Sequence, residues 1–242
     1  MLTFHDGPYL VTGASGGIGA ATVRRLRAAG CTVYASGRDT DKIEALCDET
    51  GALPLPFDLL DEASIEDAVS GIDWYGVVNC GGDGGEIAAP QDTDIAVFDR
   101  VIGVNARGTL LVTKYAAREM IAAGRGGAIV NVSSQASLVA LSGHVSYGAS
   151  KGAVDTITRV SALELGPHGI RVNAVNPTVV MTPMSAWYWD KPETGGKLLE
   201  AMPLGRYATE DEIATPIAFL LSNEASMISA VTLPIDGGFT AV

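Results

Sequence analysis

Basic residues are scarce in this chain: 16 Lys and Arg stand against 28 Asp and Glu, a net charge of −12. So acidic a surface repels phosphate backbones and excludes nucleic acid as a partner unless a local basic patch exists. The longest basic run, Arg24-Arg25, suits a solvated helix face. Cysteine is nearly absent too. Cys31, Cys47 and Cys80 are odd in number and widely spaced, so they form neither a metal motif nor a disulfide framework. That points to a reducing compartment, and the protein is expected to be cytoplasmic. No stretch approaches the ~18 uncharged apolar residues that span a bilayer. The opening Met-Leu-Thr-Phe-His-Asp-Gly-Pro lacks a basic n-region, so neither a membrane segment nor a signal peptide is expected.

What is present suits a globular α/β chain. An apolar share of 47% and 29 glycines fit buried strands joined by tight turns. Short apolar runs alternate with longer amphipathic ones from end to end. Strands are predicted at Pro8–Thr12, Cys31–Ser36, Leu53–Phe57, Gly76–Asn79, Ala128–Ser133, Ile170–Val175 and Ala230–Ile235. Between them fall helices at Ala20–Ala29, Asp41–Glu49, Ala63–Val69 and Tyr147–Leu165. A long helical tract, Asp94–Ala123, is interrupted near Val104-Asn105. This alternation predicts a doubly wound parallel sheet with helices on both faces. No linker or composition shift divides the chain, so residues 1–242 form a single domain. The stretch from Pro177 to Thr209 shows no clear strand, and residues 178–208 are expected to form a substrate loop. It carries Trp187, Tyr188 and Trp189, in a chain with only 3 tryptophans.

Two local patterns carry chemistry. Thr12-Gly13-Ala14-Ser15-Gly16-Gly17-Ile18-Gly19 follows the first strand and opens the first helix. Glycines there permit a tight turn and let a pyrophosphate approach backbone N–H groups at a helix N-terminus. The second pattern is Tyr147 four residues before Lys151, one helical turn that sets a phenol beside an ammonium. A free phenol, with a pKa near ~10, serves acid–base work at neutral pH only when a cation lowers it. Chance alone would supply about 0.14 such pairs here, so the pair gains its weight from the glycine loop and from Ser134, thirteen residues upstream. The end of the second strand selects the cofactor: an acidic residue binds the ribose 2′-OH of NAD, an arginine accepts the 2′-phosphate of NADP. Gly37 leaves the carboxylate position empty and Arg38 follows, favouring NADP(H), although Asp39 would repel phosphate if it turned inward. Asp58, after the third strand, is placed either to contact adenine or to serve as a turn residue.

With loop and trio together the chain resembles the short-chain dehydrogenase/reductase family over nearly its whole length. The carrying motifs are Thr-Gly-x-x-x-Gly-x-Gly, Val-Asn105-Ala-Arg-Gly, Ile-Val-Asn-Val-Ser-Ser134, Tyr147-Gly-Ala-Ser-Lys151 and Arg171-Val-Asn-Ala-Val-Asn-Pro177. The resemblance implies a single-domain Rossmann-type fold and a catalytic tetrad. Tyr147 would be the general acid and Lys151 would depress its pKa and hold the nicotinamide ribose. Ser134 would bind the substrate oxygen, and Asn105 would anchor a water linking Lys151 to solvent. Gly13, Ser15, Gly17, Ile18, Gly19, Arg38, Asp58, Asn79, Tyr147, Lys151, Pro177, Val180 and Thr182 would contact NADP(H), with no metal required. The resemblance also implies a homotetramer with the long catalytic helix and the C-terminal segment at its interfaces.

Departures from the family pattern bear on this reading. Asn79-Cys80-Gly81-Gly82-Asp83-Gly84-Gly85 replaces the family's Asn-Asn-Ala-Gly and makes that loop unusually flexible. Gly16 stands where one branch of the family carries a lysine, so NADP preference rests on Arg38. Thr178 follows Pro177 where many members have glycine. Ser134, Gln135, His144, Tyr147 and Trp187 are candidates for the substrate pocket, His144 equally as an ordinary helix-start histidine. The expected reaction is NADPH-dependent reduction of a ketose or α-dicarbonyl. The alternatives are NAD-linked oxidation of a polyol or secondary alcohol, and a nucleotide-binding scaffold that has lost its chemistry.

Overall fold

Aspartate and threonine side chains punctuate the chain where its helices begin. In the computed structural model, which describes residues 2–241 (at Pro183 and Met184 the backbone alone), four helices carry such caps: α2 (Thr40–Thr50) by Asp39, α3 (Glu62–Val69) by Asp61, α4 (Ile95–Ile102) by Asp94, and α9 (Glu210–Leu221) by Thr209. Each cap satisfies an otherwise orphaned N–H and contributes about 1 kcal/mol. In α9 it is a reciprocal capping box with Glu212.

The strands are β1 (Pro8–Val11), β2 (Thr32–Ala35), β3 (Leu53–Pro54), β4 (Gly76–Asn79), β5 (Gly127–Val132), β6 (Ile170–Pro177) and β7 (Thr232–Ile235). They form one parallel 7-stranded sheet in the order β3-β2-β1-β4-β5-β6-β7. The chain is a single domain of Rossmann type. Burial on both faces follows strand alternation. Tyr9 and Val11 face α1 (Gly17–Ala28) and α9 with Val23, Leu26, Ile213 and Ile217. Leu10 faces the other way, into a core with Trp74, Val77, Val112, Met120 and Ile129.

Several predicted boundaries shift for physical reasons. β3 ends at Pro54 rather than Phe57, because Pro54 and Pro56 have no N–H to donate and confine it to the sheet edge. The long tract is continuous but changes pitch. A π-helical turn over Gly103–Arg107 joins α4 to α5 (Gly108–Ala123), and Asn105 sits within it. α6 (Val145–Leu165) begins two residues before Tyr147. The stretch between β6 and α9, which shows no strand in sequence, contains α7 (Pro183–Trp189), a π turn at Pro192–Gly196 and α8 (Lys197–Glu200). A bridge between Val180 and Ala208 ties its two ends together. Among the described residues no helix is long and apolar enough to cross a membrane.

Candidate active site

The strand order reverses direction between β1 and β4, and beyond the carboxyl ends of those strands lies a cleft of about 840 Å³. Its floor is the glycine loop. Gly13 has φ +65°, and a Cβ there would stand 2.7 Å from the Cα of Gly81. Glycine is therefore required both by conformation and by the neighbouring β4 loop. The Thr12 hydroxyl accepts from the N–H groups of Cys80 and Gly81, each at 3.1 Å, and so stitches the two loops together.

Ser15, Gly17, Ile18 and Gly19 all line the cleft. Unlike α2, α3, α4 and α9, α1 has no side-chain cap, and its first turn holds no acidic residue. Its free N–H groups and the positive end of its dipole face the cleft, an arrangement that suits a pyrophosphate. Glu210, the first residue of α9, also borders Gly17. No sequence signal announces it, because α1–α9 packing brings it across 193 positions.

At the far end, Arg38 is exposed on the cleft wall with no ion-pair partner among the described residues. Asp39 borders the cleft too, but its carboxylate is engaged: it accepts from the N–H of Lys42 at 3.2 Å and pairs with the Lys42 ammonium at 2.8 Å. A Cβ at Gly37 would lie 2.8 Å from the Ser15 hydroxyl, so a side chain at that position would have to push that hydroxyl aside. Asp58 borders the same wall and accepts from the N–H of Leu60 at 3.0 Å, an Asx turn that leaves its second oxygen free.

The other wall belongs to α6. Tyr147 and Lys151 both face the cleft, the ammonium 5.6 Å from the phenol ring centroid. Lys151 is buried and donates to the Val132 carbonyl at 2.7 Å, leaving further N–H donors for a ligand. Ser134 enters from the end of β5, and its hydroxyl accepts from the N–H of Ala136 at 3.1 Å. Pro177, Val180 and Thr182 line the cleft from the end of β6 onward. Thr178 lies between them, its buried hydroxyl without a partner among the described residues.

Two predicted residues do not reach the cleft. Asn79 lies beneath it. Its amide donates to Thr113 at 3.2 Å and to Asn131 at 2.8 Å, and Asn131 in turn donates to Thr158 at 2.8 Å. This buried polar ladder braces β4 against β5, and the Asn79 side-chain oxygen has no partner among the described residues. Asn105 is buried behind the β4 loop, its oxygen accepting from the N–H of Asp83 at 2.7 Å. Its amide donates to the Asp83 carbonyl and to Ser150, both at 2.9 Å. Those contacts use both its amide protons and make the side chain a brace between the β4 loop and α6.

Gln135 and His144 close the inner end. Gln135 is buried, with neither amide atom bonded among the described residues. His144 donates from Nδ1 to the Ser142 carbonyl at 2.7 Å, which assigns Nε2 as an acceptor. Trp187 sits at the rim and is 57% exposed. It is Trp189 that stacks on His144, at 5.7 Å and 21°, while Tyr188 meets it edge-on. Burial holds the His144 pKa below 6.5. Because the folded value is depressed, the unfolded chain binds the proton first, and stability falls as pH drops below about 6.5. Melting temperatures across pH 5–8 are expected to show this decline, and His144→Gln is expected to flatten it. An equal decline in the variant would assign the effect elsewhere. Burial also pushes the Cys80 thiol up to about 12, so it borders the cleft as a neutral group rather than a nucleophile.

A glycine loop at the switch point of a parallel sheet, faced by Ser134, Tyr147 and Lys151, defines a dinucleotide-dependent oxidoreductase. The chain belongs to the short-chain dehydrogenase/reductase family: the family profile described as enoyl-(acyl carrier protein) reductase matches residues 13–240. L-xylulose reductase of Mus musculus is 44% identical over 236 residues, 96% of each chain. Carbonyl reductase [NADPH] 2 of Sus scrofa is 39% identical over 96% of each. A solved short-chain type dehydrogenase/reductase from Mycobacterium ulcerans superposes with a TM-score of 0.94 at 33% identity, covering 99% of this chain and 92% of that one. The protein is accordingly an enzyme that interconverts carbonyls and alcohols with a nicotinamide cofactor.

Proposed function

We propose that the enzyme reduces ketoses or α-dicarbonyls with NADPH. The observation that carries this reading is the convergence of Ser134, Tyr147 and Lys151 on the cleft that holds the glycine loop. Tyr147 protonates the carbonyl oxygen as it becomes an alkoxide, and the Lys151 ammonium favours the phenolate left behind. The Ser134 hydroxyl donates to that same oxygen, where charge develops. Asn105 keeps its place in the tetrad as the brace described above, holding Ser150 and hence the turn that presents Tyr147. When bound, the nicotinamide supplies the hydride. The first turn of α1 holds the pyrophosphate, Arg38 the 2′-phosphate and Asp58 the adenine. Lys151 and Tyr147 hold the nicotinamide ribose, while Pro177, Val180 and Thr182 flank the ring end.

Gln135 and the Nε2 of His144 present polar atoms to the substrate's hydroxyl or second carbonyl groups, with Tyr188 and Trp189 packed against His144 and Trp187 at the mouth. Residues 178–208 form the substrate loop. The names of the mouse and pig relatives support this substrate and cofactor class. A homotetramer belongs to the same reading, supported by apolar side chains exposed on α4, α5 and α6, among them Ile95, Leu110 and Leu163. So does a cytoplasmic location, supported by three unpaired thiols.

The test of cofactor choice is a fluorescence titration of NADPH and NADH on the parent and on Arg38→Ala. The parent is expected to prefer NADPH, and the variant to bind it about tenfold or more weakly with NADH unaffected, the loss expected for a charge-assisted phosphate contact. Preference for NADH in the parent, unchanged in the variant, would replace this reading with NAD-linked oxidation of a polyol.

A further inference from the structure

The four glycines of Gly81-Gly82-Asp83-Gly84-Gly85 give the β4 loop a large conformational entropy to lose, yet all five residues line the cofactor cleft. The segment has one side chain with which to hold itself. The Asp83 carboxylate is largely buried, 14% exposed, and uses both oxygens. Oδ1 accepts from the N–H of Gly85 at 2.9 Å, closing the turn over a residue with φ +69°. Oδ2 pairs with the Arg100 guanidinium of α4 at 2.7 Å. The Asp83 backbone meanwhile makes both bonds to Asn105, Asn105 bonds Ser150, and the Ser150 hydroxyl donates to the Tyr147 carbonyl at 2.7 Å. The loop also passes Lys151, whose ammonium is 3.8 Å from where a Cβ on Gly82 would be.

We propose that Asp83, held by Arg100, is a positioning residue: it locks the glycine-rich loop against the π turn and thereby sets both the cofactor wall and the alignment of the Tyr147–Lys151 turn. The charge pair does the work that an apolar, less glycine-rich loop would do by stiffness. A guanidinium bonded to a carboxylate is stronger than a neutral hydrogen bond, and here it adds to the bonds from Thr12 and Asn105 in holding a glycine-rich segment closed. Because the loop touches the cleft without contributing to the hydrophobic core, its release is expected to weaken binding and turnover while leaving the fold intact.

The proposal rests on the functional reading above for its kinetic part alone. Its structural part is measured without cofactor, by amide hydrogen exchange of the apoprotein. In Asp83→Ala the amides of residues 81–85 are expected to exchange about tenfold or more faster, with those of β4 and β5 unchanged. The NADPH Kd is expected to rise about tenfold, and kcat with diacetyl or L-xylulose to fall by a similar factor at nearly constant KM. The milder variants Asp83→Asn and Arg100→Gln remove the ion pair but keep an acceptor for Gly85. Each is expected to raise the NADPH Kd severalfold, and the double variant to be no worse than either single, the signature of one shared interaction. Loop exchange and NADPH Kd within twofold of the parent in Asp83→Ala would overturn the proposal. So would additive effects in the pair, or exchange that accelerates equally in β4 and β5.

Discussion

Replacing Tyr147 by Phe is expected to lower kcat and kcat/KM together by about 10²–10⁴-fold, the range a positioned general acid contributes. The substitution removes one oxygen and leaves the ring, so the helix turn that carries it and the position of Lys151 beside it should persist. Lys151 retains its bond to the Val132 carbonyl, which does not involve the phenol. Cofactor affinity is therefore expected to change only a fewfold and the melting temperature hardly at all. Steady-state reduction of diacetyl by the variant, with a nucleotide titration beside it, checks all three. A variant that keeps more than about a tenth of the parent's kcat would remove Tyr147 from the proton-transfer role.

The largest expected effect on stability belongs to Trp74→Ala. Trp74 is completely buried at the entry to β4, and its indole donates to the Val69 carbonyl at 2.7 Å. It meets Tyr34 edge-on at 5.2 Å and packs into the core beneath the sheet with Ile65, Val69 and Val77. Truncation removes that contact area, opens a cavity and strands the Val69 carbonyl, for a loss of about 3–5 kcal/mol. In a domain of this size that lowers the melting temperature by roughly 6–20 °C. Trp74 sits at the amino end of β4, whereas the cleft lies past its carboxyl end. Turnover measured well below the transition is therefore expected to stay within a fewfold of the parent, and Trp74→Phe to fall between the two. An unchanged melting temperature in the alanine variant would contradict the packing account.

The two largest effects differ in how legible they were. Tyr147 and Lys151 stand out in sequence because one helical turn brings them together, and helical periodicity is a local property. The same holds for the glycine loop, whose residues are contiguous, and for the alternation of strand and helix. Trp74 carries no such mark. It is one aromatic among apolar neighbours, and only the sheet and α3 closing around it make it a core anchor.

Asn79 and Asn105 show that a motif gives a residue's position but not the hydrogen bonds it makes there. Each stands where the family pattern expects it, yet the amide of Asn79 is spent on Thr113 and Asn131, and that of Asn105 on Asp83 and Ser150. Hydrogen-bond satisfaction of buried amides is settled by whatever polar atoms the fold brings within reach. The aromatic cluster is a similar case: the sequence put three aromatic residues in one short stretch, but which of them stacks on His144 depends on the rotation of α7 above the loop before α6. Asp39 remained ambiguous until its role as the cap of α2 showed its carboxylate engaged by Lys42.

By itself, then, the sequence determined the β–α alternation, the parallel doubly wound class, the phosphate-binding turn and the Tyr147–Lys151 pair. Each of these depends on spacings of a few residues and on the conformational limits of glycine and helix. Only the tertiary structure decided which distant groups meet: Glu210 with Gly17, Arg100 with Asp83, His144 with Trp189. Those meetings follow from strand order and from helix packing across the sheet, which sum weak contacts over the whole chain and leave no short-range signature to read.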